Sequence, residues 1–217
     1  MKKIRLKANF LRDIVFPKNC LGCAKEGCYI CPRCRNMIKI ARNDFIDFPG
    51  KRFLDRVVVT ADYNDEILQR AIHCLKYQFA TDVAEELVSL VSADKIPLSW
   101  KHCVLLPIPL HKKRERLRGF NQAELIAIFL SERFGLYYRN DILSRIKYRV
   151  PQMSLGRSER LKNIKDIFFV DKDNLCGIKN VVLVDDVVTT GATLNEAAEV
   201  LKKNGVENVE AIVLGHG

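Results

Sequence analysis

Short runs of apolar residues along this chain predict the strands of a sheet that is buried on both faces. The most continuous run is V-V-L-V at residues 181–184, where four aliphatic residues follow one another without a polar interruption. Runs of this kind are typical of parallel strands, because helices cover both faces of a parallel sheet. The predicted strands cover residues 57–62, 103–109, part of 136–150, 167–170, 181–184 and 209–214.

Apolar residues spaced three and four positions apart predict helices between these strands. In residues 63–77, Ile67, Ala71, Ile72 and Leu75 fall on one helical face. Comparable patterns predict helices at residues 83–91, 123–134 and 194–204, and a short amphipathic helix in residues 1–16. The alternation of strands and helices indicates an α/β fold with a parallel sheet.

Cysteine spacing predicts a separate small module near the N-terminus. Five of the eight cysteines lie in residues 20–34. Four of them form two C-x-x-C pairs, Cys20 with Cys23 and Cys31 with Cys34, and Cys28 lies between the pairs. Two such pairs place four thiolates around one Zn²⁺, and a site closed by four thiolates is structural rather than catalytic. Cys20, Cys23, Cys28 and Cys31 are an alternative set of zinc ligands. We prefer Cys20, Cys23, Cys31 and Cys34, because both pairs of that set have the C-x-x-C spacing. We expect a zinc-binding module in residues 1–50 and an α/β domain in residues 51–217.

Two acids and a hydroxyl-rich loop follow the strand at residues 181–184. Asp185 and Asp186 come first, and T-T-G-A-T at residues 189–193 leads into the next predicted helix. A strand, a tight loop and a helix N-terminus gather free N–H groups around a phosphate, while carboxylates suit sugar hydroxyls or a Mg²⁺ carried by a diphosphate. The simpler interpretation is a capped helix, with Thr193 and Glu196 as a capping box. That interpretation leaves two adjacent acids at the end of a buried strand unexplained.

Two basic stretches are predicted to face an anionic ligand at the same edge of the sheet. The first is a loop, L-H-K-K-R-E-R-L-R-G-F-N-Q, directly after the strand that ends at Pro109. Open α/β sheets bind ligands outside the carboxyl ends of their strands, where this loop and the acids would meet. The second stretch, residues 151–166, has the glycine and the flanking proline of a mobile flap.

The composition agrees with an anionic partner. The formal net charge is +10, which leaves nucleotide, nucleic acid and acidic lipid open as partners. No apolar run has the length of a membrane span, and the first residues lack the apolar core and cleavage site of a signal peptide. We therefore expect a cytoplasmic protein.

These motifs together resemble the ComF family of phosphoribosyltransferase-like proteins. The matching stretches are the cysteine pairs after Phe16-Pro17, the run L-K-Y at residues 75–77, residues 107–123 with R-G-F-N-Q-A at their end, the flap, and residues 184–193. The resemblance implies a type I phosphoribosyltransferase fold with an N-terminal zinc finger. It also implies that the chain binds phosphoribosyl diphosphate (PRPP) together with Mg²⁺.

The resemblance further implies roles for individual residues. Asp185 and Asp186 would be the catalytic residues that contact the ribose hydroxyls. The implied PRPP-binding residues are Asp185, Asp186, Val187, Val188, Thr189, Thr190, Gly191, Ala192 and Thr193. The basic loop would contribute His111, Arg114, Arg116, Arg118, Asn121 and Gln122 on the diphosphate side, and the flap would contribute Gln152, Arg157 and Arg160. The zinc ligands would be Cys20, Cys23, Cys31 and Cys34.

Two functions follow from this resemblance. Family members in transformable bacteria take part in DNA uptake, which implies a PRPP-binding protein with single-stranded DNA, a DNA-uptake helicase and channel proteins as partners. The alternative is an active phosphoribosyltransferase that acts on an unidentified nucleobase or nitrogen acceptor and has no role in DNA uptake. Single-strand binding usually employs aromatic side chains, and the basic stretches offer only Phe120, Tyr137, Tyr138 and Tyr148. No acceptor-specific hood is recognisable in the sequence.

Overall fold

A computed structural model describes residues 18–41, 53–77, 81–147 and 167–217. The helix predicted in residues 1–16 and the flap, with Gln152, Arg157 and Arg160, lie outside the described residues. None of the described helices is both long enough and apolar enough to cross a membrane.

A parallel sheet forms the centre of the fold. Its five strands lie in the order β1-β7-β6-β2-β3, and each neighbouring pair is parallel. The apolar run at residues 181–184 is fully buried within the central strand, as expected for a strand covered on both faces. Two further strands, β4 and β5, form a separate antiparallel pair. The strands are β1 (Arg56–Asp62), β2 (Val104–Pro107), β3 (Tyr137–Tyr138), β4 (Leu143–Arg145), β5 (Phe168–Val170), β6 (Asn180–Val188) and β7 (Asn208–His216).

Helices cover both faces of this sheet, so the predicted α/β fold with a parallel sheet is confirmed. One hydrophobic cluster contains Leu68, Leu87 and Leu130 from three helices on the first face, and the other contains Leu194 and Leu201 on the opposite face. The described helices are α1 (Pro32–Arg35), α2 (Glu66–Tyr77), α3 (Asp82–Val88), α4 (Lys112–Arg118), α5 (Gln122–Phe134), α6 (Lys172–Leu175) and α7 (Ala192–Lys203). Residues 92–102, which return the chain to the sheet, form two short 3₁₀ helices.

The basic segment after β2 is a helix, α4, where the sequence analysis expected a loop. The side chain of His111 accepts a hydrogen bond from the backbone N–H of Lys113 at the N-terminus of α4. Gly119 ends the helix in the left-handed conformation, with φ of 75°. None of the residues of α4 is buried, so no apolar face signals the helix in the sequence.

The cysteine-rich segment, residues 18–41, packs directly on the α/β fold. Cys20, Cys31, Cys34 and Ile38 belong to the same hydrophobic cluster as helices α2 and α3. Two backbone hydrogen bonds join the end of this segment to β1. The Ala41 N–H donates to the Thr60 oxygen at 3.0 Å, and the Asp62 N–H donates to the Lys39 oxygen at 2.9 Å. The boundary between two domains near residue 50 stays a prediction.

Candidate phosphoribosyl site and cysteine cluster

The register of β2 and β6 brings the acids and the start of the basic helix to one edge of the sheet. Pro107 lies opposite Val184, and the N–H of Ile108 donates to the Val184 oxygen at 2.8 Å. Asp185 therefore lies in β6 directly beyond its last residue paired with β2, at the level where the chain leaves β2 toward α4. This is the carboxyl edge of a parallel sheet, where ligands of α/β proteins bind.

The hydroxyl-rich loop connects β6 to the N-terminus of α7. Gly191 adopts the left-handed conformation, with φ of 69°, and precedes the first helical residue, Ala192. The first N–H groups of a helix have no partner within the helix, so they face the loop. Thr189 and Thr190 are exposed beside them, and the Thr190 hydroxyl lies 3.5 Å from the Ala192 nitrogen. The loop has the geometry of a phosphate cradle.

The capping box of the simpler interpretation does not form. The cap position is Gly191, which has no side chain, rather than Thr193. The Glu196 carboxylate, expected to turn back toward Thr193, accepts a hydrogen bond from the backbone N–H of Ile167 at 2.8 Å. Glu196 is buried by this contact between two distant segments, which a local sequence pattern does not reveal.

Burial and mutual repulsion disfavour two charged carboxylates in the acid pair, and a lysine contacts one of them. Desolvation, followed by the charge of Asp186, raises the pKa of Asp185 to about 8, and the nearby Lys76 and Arg145 partly oppose this increase. The Lys76 Nζ lies 2.7 Å from the Asp186 Oδ2, in an ion pair whose carboxylate side chain is only 6% exposed. Two adjacent carboxylates in this setting favour a ligand that donates hydrogen bonds to them or brings a cation.

The predicted residues of the basic segment divide into two groups. Asn121 and Gln122 are buried, and the Asn121 side chain caps α5 by accepting from the Ala123 N–H at 3.1 Å while it donates to the Ile108 oxygen at 3.1 Å. The remaining side chains lie on or beside α4 and are exposed or half-buried: His111, Arg114, Arg116 and Arg118. Arg118 also donates to the Gln122 oxygen at 3.0 Å. The described contacts of Asn121 and Gln122 thus position the basic helix.

Strands β4 and β5 hold the two ends of the predicted flap together. Arg145 lies opposite Phe168, and the N–H of Ile146 donates to the Ile167 oxygen at 2.9 Å. The bond from Ile167 to Glu196 then ties this strand pair to the first turns of α7. Ile146 and Ile167, which lie on either side of residues 148–166, are therefore next to each other and near the first turns of α7.

Four cysteines of the N-terminal segment form a compact cluster. The sulfur atoms of Cys20, Cys23, Cys31 and Cys34 all lie within 4.8 Å of one another, and those of Cys23 and Cys31 are 3.7 Å apart. Thiolates about 2.3 Å from a tetrahedral zinc ion are separated by about 3.8 Å, so the cluster could hold Zn²⁺. Cys28 lies outside this cluster.

The surroundings of the cluster also fit a thiolate–metal site. Burial opposes ionisation of the Cys20 thiol, but backbone N–H groups of Cys31, Gly22 and Cys23 outweigh it and lower its pKa to about 6. A Cβ atom at Gly22 would lie 2.7 Å from the Cys34 sulfur, so the turn requires glycine. N–H groups that point at sulfur stabilise the deprotonated form that binds a metal.

A carboxylate of the α/β fold fixes the loop between the two cysteine pairs. Glu86 of α3 accepts hydrogen bonds from the N–H groups of Tyr29 at 3.0 Å and Ile30 at 2.5 Å. Lys18 pairs with Asp82 of the same helix at 2.8 Å, and Arg35 donates to the Ser89 oxygen. Helix α3 thus holds the cysteine cluster in place.

Sequence reasoning missed Lys76, Arg145 and Glu86 as residues of these two sites. Each reaches its partner through tertiary structure, and no local motif surrounds Arg145 or Glu86. Only Lys76 had a signal, because it belongs to the run L-K-Y at residues 75–77 that contributed to the family resemblance.

Comparisons with known proteins agree with this geometry. The family model described as "Phosphoribosyl transferase domain" matches residues 157–216, which include the acids and the hydroxyl-rich loop. DNA utilization protein YhgH of Escherichia coli strain K12 is 31% identical over 160 residues, which cover 71% of this chain and 69% of YhgH.

Two competence proteins are also similar. Competence protein F of Haemophilus influenzae is 38% identical over 107 residues, 49% of this chain and 47% of that protein. Competence protein ComFC of Bacillus subtilis is 41% identical over 108 residues, 48% of this chain and 40% of that protein. The match thus spans less than half the length of either competence protein, but about two thirds of YhgH. On the fold, the site geometry and these similarities, the chain belongs to the ComF family of phosphoribosyltransferase-like proteins.

Proposed function

We propose that this chain binds PRPP at the carboxyl edge of the sheet and acts in bacterial DNA uptake, in the cytoplasm, with single-stranded DNA as a partner. The main support is the convergence of three chemically distinct groups at one edge, set by the register of Pro107 with Val184. They are an acid pair, a hydroxyl-rich loop that leads into a helix N-terminus, and a basic helix. PRPP has the matching parts: ribose hydroxyls, a 5-phosphate and a diphosphate.

Each part of the ligand has a preferred contact. Asp185 and Asp186 accept hydrogen bonds from the ribose hydroxyls, and residues 187–193 bind the 5-phosphate through N–H groups and hydroxyls. His111, Arg114, Arg116 and Arg118 lie on the side of the diphosphate, whose charge Mg²⁺ partly neutralises. Gln152, Arg157 and Arg160 are proposed to cover the ligand from the flap.

The cysteine cluster is proposed to bind one structural Zn²⁺ through Cys20, Cys23, Cys31 and Cys34. Support comes from the sulfur spacing and from the N–H groups that lower the pKa of Cys20. Four protein ligands leave no open position for catalysis. The metal supplies folding energy to a segment with little regular structure.

The role in DNA uptake is supported by the names of the relatives and by the charge of the chain. Two relatives are named competence proteins and a third is named a DNA utilization protein. A net charge of +10 favours association with a polyanion. A helicase and channel proteins of the uptake apparatus are proposed as further partners.

Calorimetric titration with PRPP and Mg²⁺ tests the ligand. Changing both Asp185→Asn and Asp186→Asn is expected to weaken binding by about tenfold or more, because hydrogen bonds with the ribose contribute about 0.5–1.5 kcal/mol for a neutral group and about 1.5–3 kcal/mol for a charged one. The double variant Asp94→Asn and Asp173→Asn makes the same two substitutions at exposed positions and should bind normally. Equal affinity of both double variants would refute the proposed site.

An active phosphoribosyltransferase is the second candidate, favoured by the two cations, Lys76 and Arg145, near the acid pair. In that reaction an acceptor nitrogen bonds to C1 of the ribose as the bond from C1 to the diphosphate oxygen breaks. Fixed charges stabilise such a transition state without a protein nucleophile. Release of diphosphate from PRPP, measured with a panel of nucleobases and with DNA, distinguishes turnover from binding.

A further inference from the structure

Helix α2 presents an exposed face that contains aromatic and basic side chains. Gln69, Arg70, His73 and Tyr77 share this face because they are spaced by one, three and four residues. The opposite face, with Leu68, Ala71, Ile72 and Leu75, is buried in the core. The one acid on the exposed face is Glu66, which pairs with Arg70 at 2.8 Å.

Two aromatic rings and a guanidinium group contact one another on this face. The ring centroids of His73 and Tyr77 are 4.7 Å apart. The guanidinium carbon of Arg118, from the basic helix α4, lies 5.1 Å from the centre of the Tyr77 ring, and its Nη2 is 3.4 Å from the Tyr77 hydroxyl. Tyr77 nevertheless stays 58% exposed. These contacts fix the orientation of a large aromatic side chain that still faces solvent.

This surface continues toward the cysteine cluster. A cleft of about 500 Å³ lies between α2 and the first cysteine turn, and its lining residues are Leu21, Tyr63, Gln69, Arg70 and His73. Arg70 connects the two sides, because its guanidinium donates to the Leu21 oxygen at 3.1 Å. We call Arg70, His73, Tyr77 and Arg118 the aromatic track. The aromatic track runs from the cysteine turn to the basic helix.

We propose that the aromatic track is the surface that binds the bases of a single-stranded nucleic acid. Single-strand binding needs exposed rings or guanidinium planes on which bases stack, next to cations that follow the backbone. The aromatic track has both, and α4 adds further cations at its end. A duplex does not offer unstacked bases to such a surface. This inference rests on the proposed association with DNA and identifies the residues that would make it.

The aromatic track also borders the phosphoribosyl site. Lys76, the residue before Tyr77, contacts Asp186 at 2.7 Å on the side of α2 that faces the sheet. The residue that carries the proposed base-stacking ring is therefore next in sequence to the one that contacts the acid pair. A strand bound along the aromatic track would pass beside the PRPP site without entering the hydroxyl-rich loop.

Fluorescence anisotropy with labelled oligo(dT) tests the aromatic track. Tyr77→Ala is expected to weaken binding by about 5-fold to 100-fold, the range for losing one base–aromatic stack, and Tyr77→Phe should stay within about twofold of the unmodified protein. Phe169→Ala is the matched control, because Phe169 is 56% exposed but lies on β5, outside the aromatic track. Calorimetry with PRPP on Tyr77→Ala reports whether the neighbouring site remains intact.

A fluorescent reporter gives a second, independent measurement. The only native tryptophan, Trp100, is buried and bonded to Glu210 at 2.8 Å, so Tyr77→Trp adds one exposed indole. Oligo(dT) should quench that indole, and a duplex of equal length should not.

Three results would overturn the proposal. They are equal oligo(dT) affinity of Tyr77→Ala and Phe169→Ala, equal binding of duplex and single strand, and no quenching of the introduced indole. Failure of the proposed DNA association is distinguishable, because the unmodified protein would then bind no oligo(dT) at all.

Discussion

The cysteine cluster and the carboxyl edge of the sheet both gather polar side chains from separate parts of the chain, but they depend on different amounts of regular structure. The segment around the cluster has one four-residue helix, α1, and isolated bridges. The acids lie in β6 and the hydroxyl-rich loop follows it, and the part of β6 before the acids is paired on both sides within a five-stranded sheet. In the first region the polar groups organise the backbone, whereas in the second region the backbone positions the polar groups.

The largest expected effect comes from removing a cysteine ligand. Cys31→Ser should reduce zinc content to near zero and unfold residues 18–41, because structural zinc contributes about 10–16 kcal/mol to small modules that fold only with metal. Cys28→Ser, outside the cluster, should retain one zinc ion per chain. Zinc content by elemental analysis and protease sensitivity measure both effects. Full zinc content in Cys31→Ser would remove this residue from the ligand set.

A smaller loss of stability is expected at the sheet edge. Lys76→Met breaks a largely buried ion pair and should lower the free energy of unfolding by about 3 kcal/mol, since it leaves Asp186 without its cation. Lys179→Met breaks an exposed pair with Glu207, 3.0 Å long, and should cost less than about 1 kcal/mol. Urea unfolding compares the two. Equal losses of unfolding free energy in the two variants would show that burial of the Lys76–Asp186 pair does not increase its contribution to stability.

The carboxylate of Glu86 tests how far the cysteine segment relies on the α/β fold. Glu86→Gln should lower the free energy of unfolding by about 1–2 kcal/mol and speed the release of zinc to a chelator, because the charge that accepts two N–H groups is lost. The neighbouring exposed residue provides the control, Glu85→Gln. If the two variants released zinc at the same rate, the cluster would be independent of α3.

A pH dependence is expected at the same acid pair. The pKa of Asp185 is raised from 3.8 to about 8, so the folded state binds an extra proton in this interval and stability falls as pH rises. Asp185→Asn should match the unmodified protein in stability near pH 4 and become more stable than it as the pH rises toward 8.

Asp141 gives the control of opposite sign. Its hydrogen bond to Arg139 lowers its pKa, so its contribution is present at neutral pH and is lost as pH falls below its ordinary pKa. Asp141→Asn should therefore lose stability at neutral pH and approach the unmodified protein in acid. Parallel pH curves for the two variants would contradict the assigned shifts.

What the sequence predicts well in this protein is local. The apolar run at residues 181–184 and the C-x-x-C spacing specify a buried strand and a cysteine cluster without reference to the rest of the chain. Helix α4 was missed because it is short and has no buried residue, so its ends are set by His111 and Gly119 rather than by an apolar face. The contacts of Lys76 with Asp186 and of Glu86 with residues 29–30 join positions far apart in sequence. No periodicity within one element indicates such partners.

The asymmetric pairing of β6 has a consequence for hydrogen exchange. Residues 181–184 are paired with β2 and β7, but Asp185 and the residues after it keep only β7 as a neighbour. Amides in the first half of the strand should exchange only through global unfolding, while those in the second half should exchange through smaller openings. A ligand at the edge should therefore slow exchange in the half that contains the acids by suppressing the smaller openings, and in the other half by stabilising the protein against global unfolding.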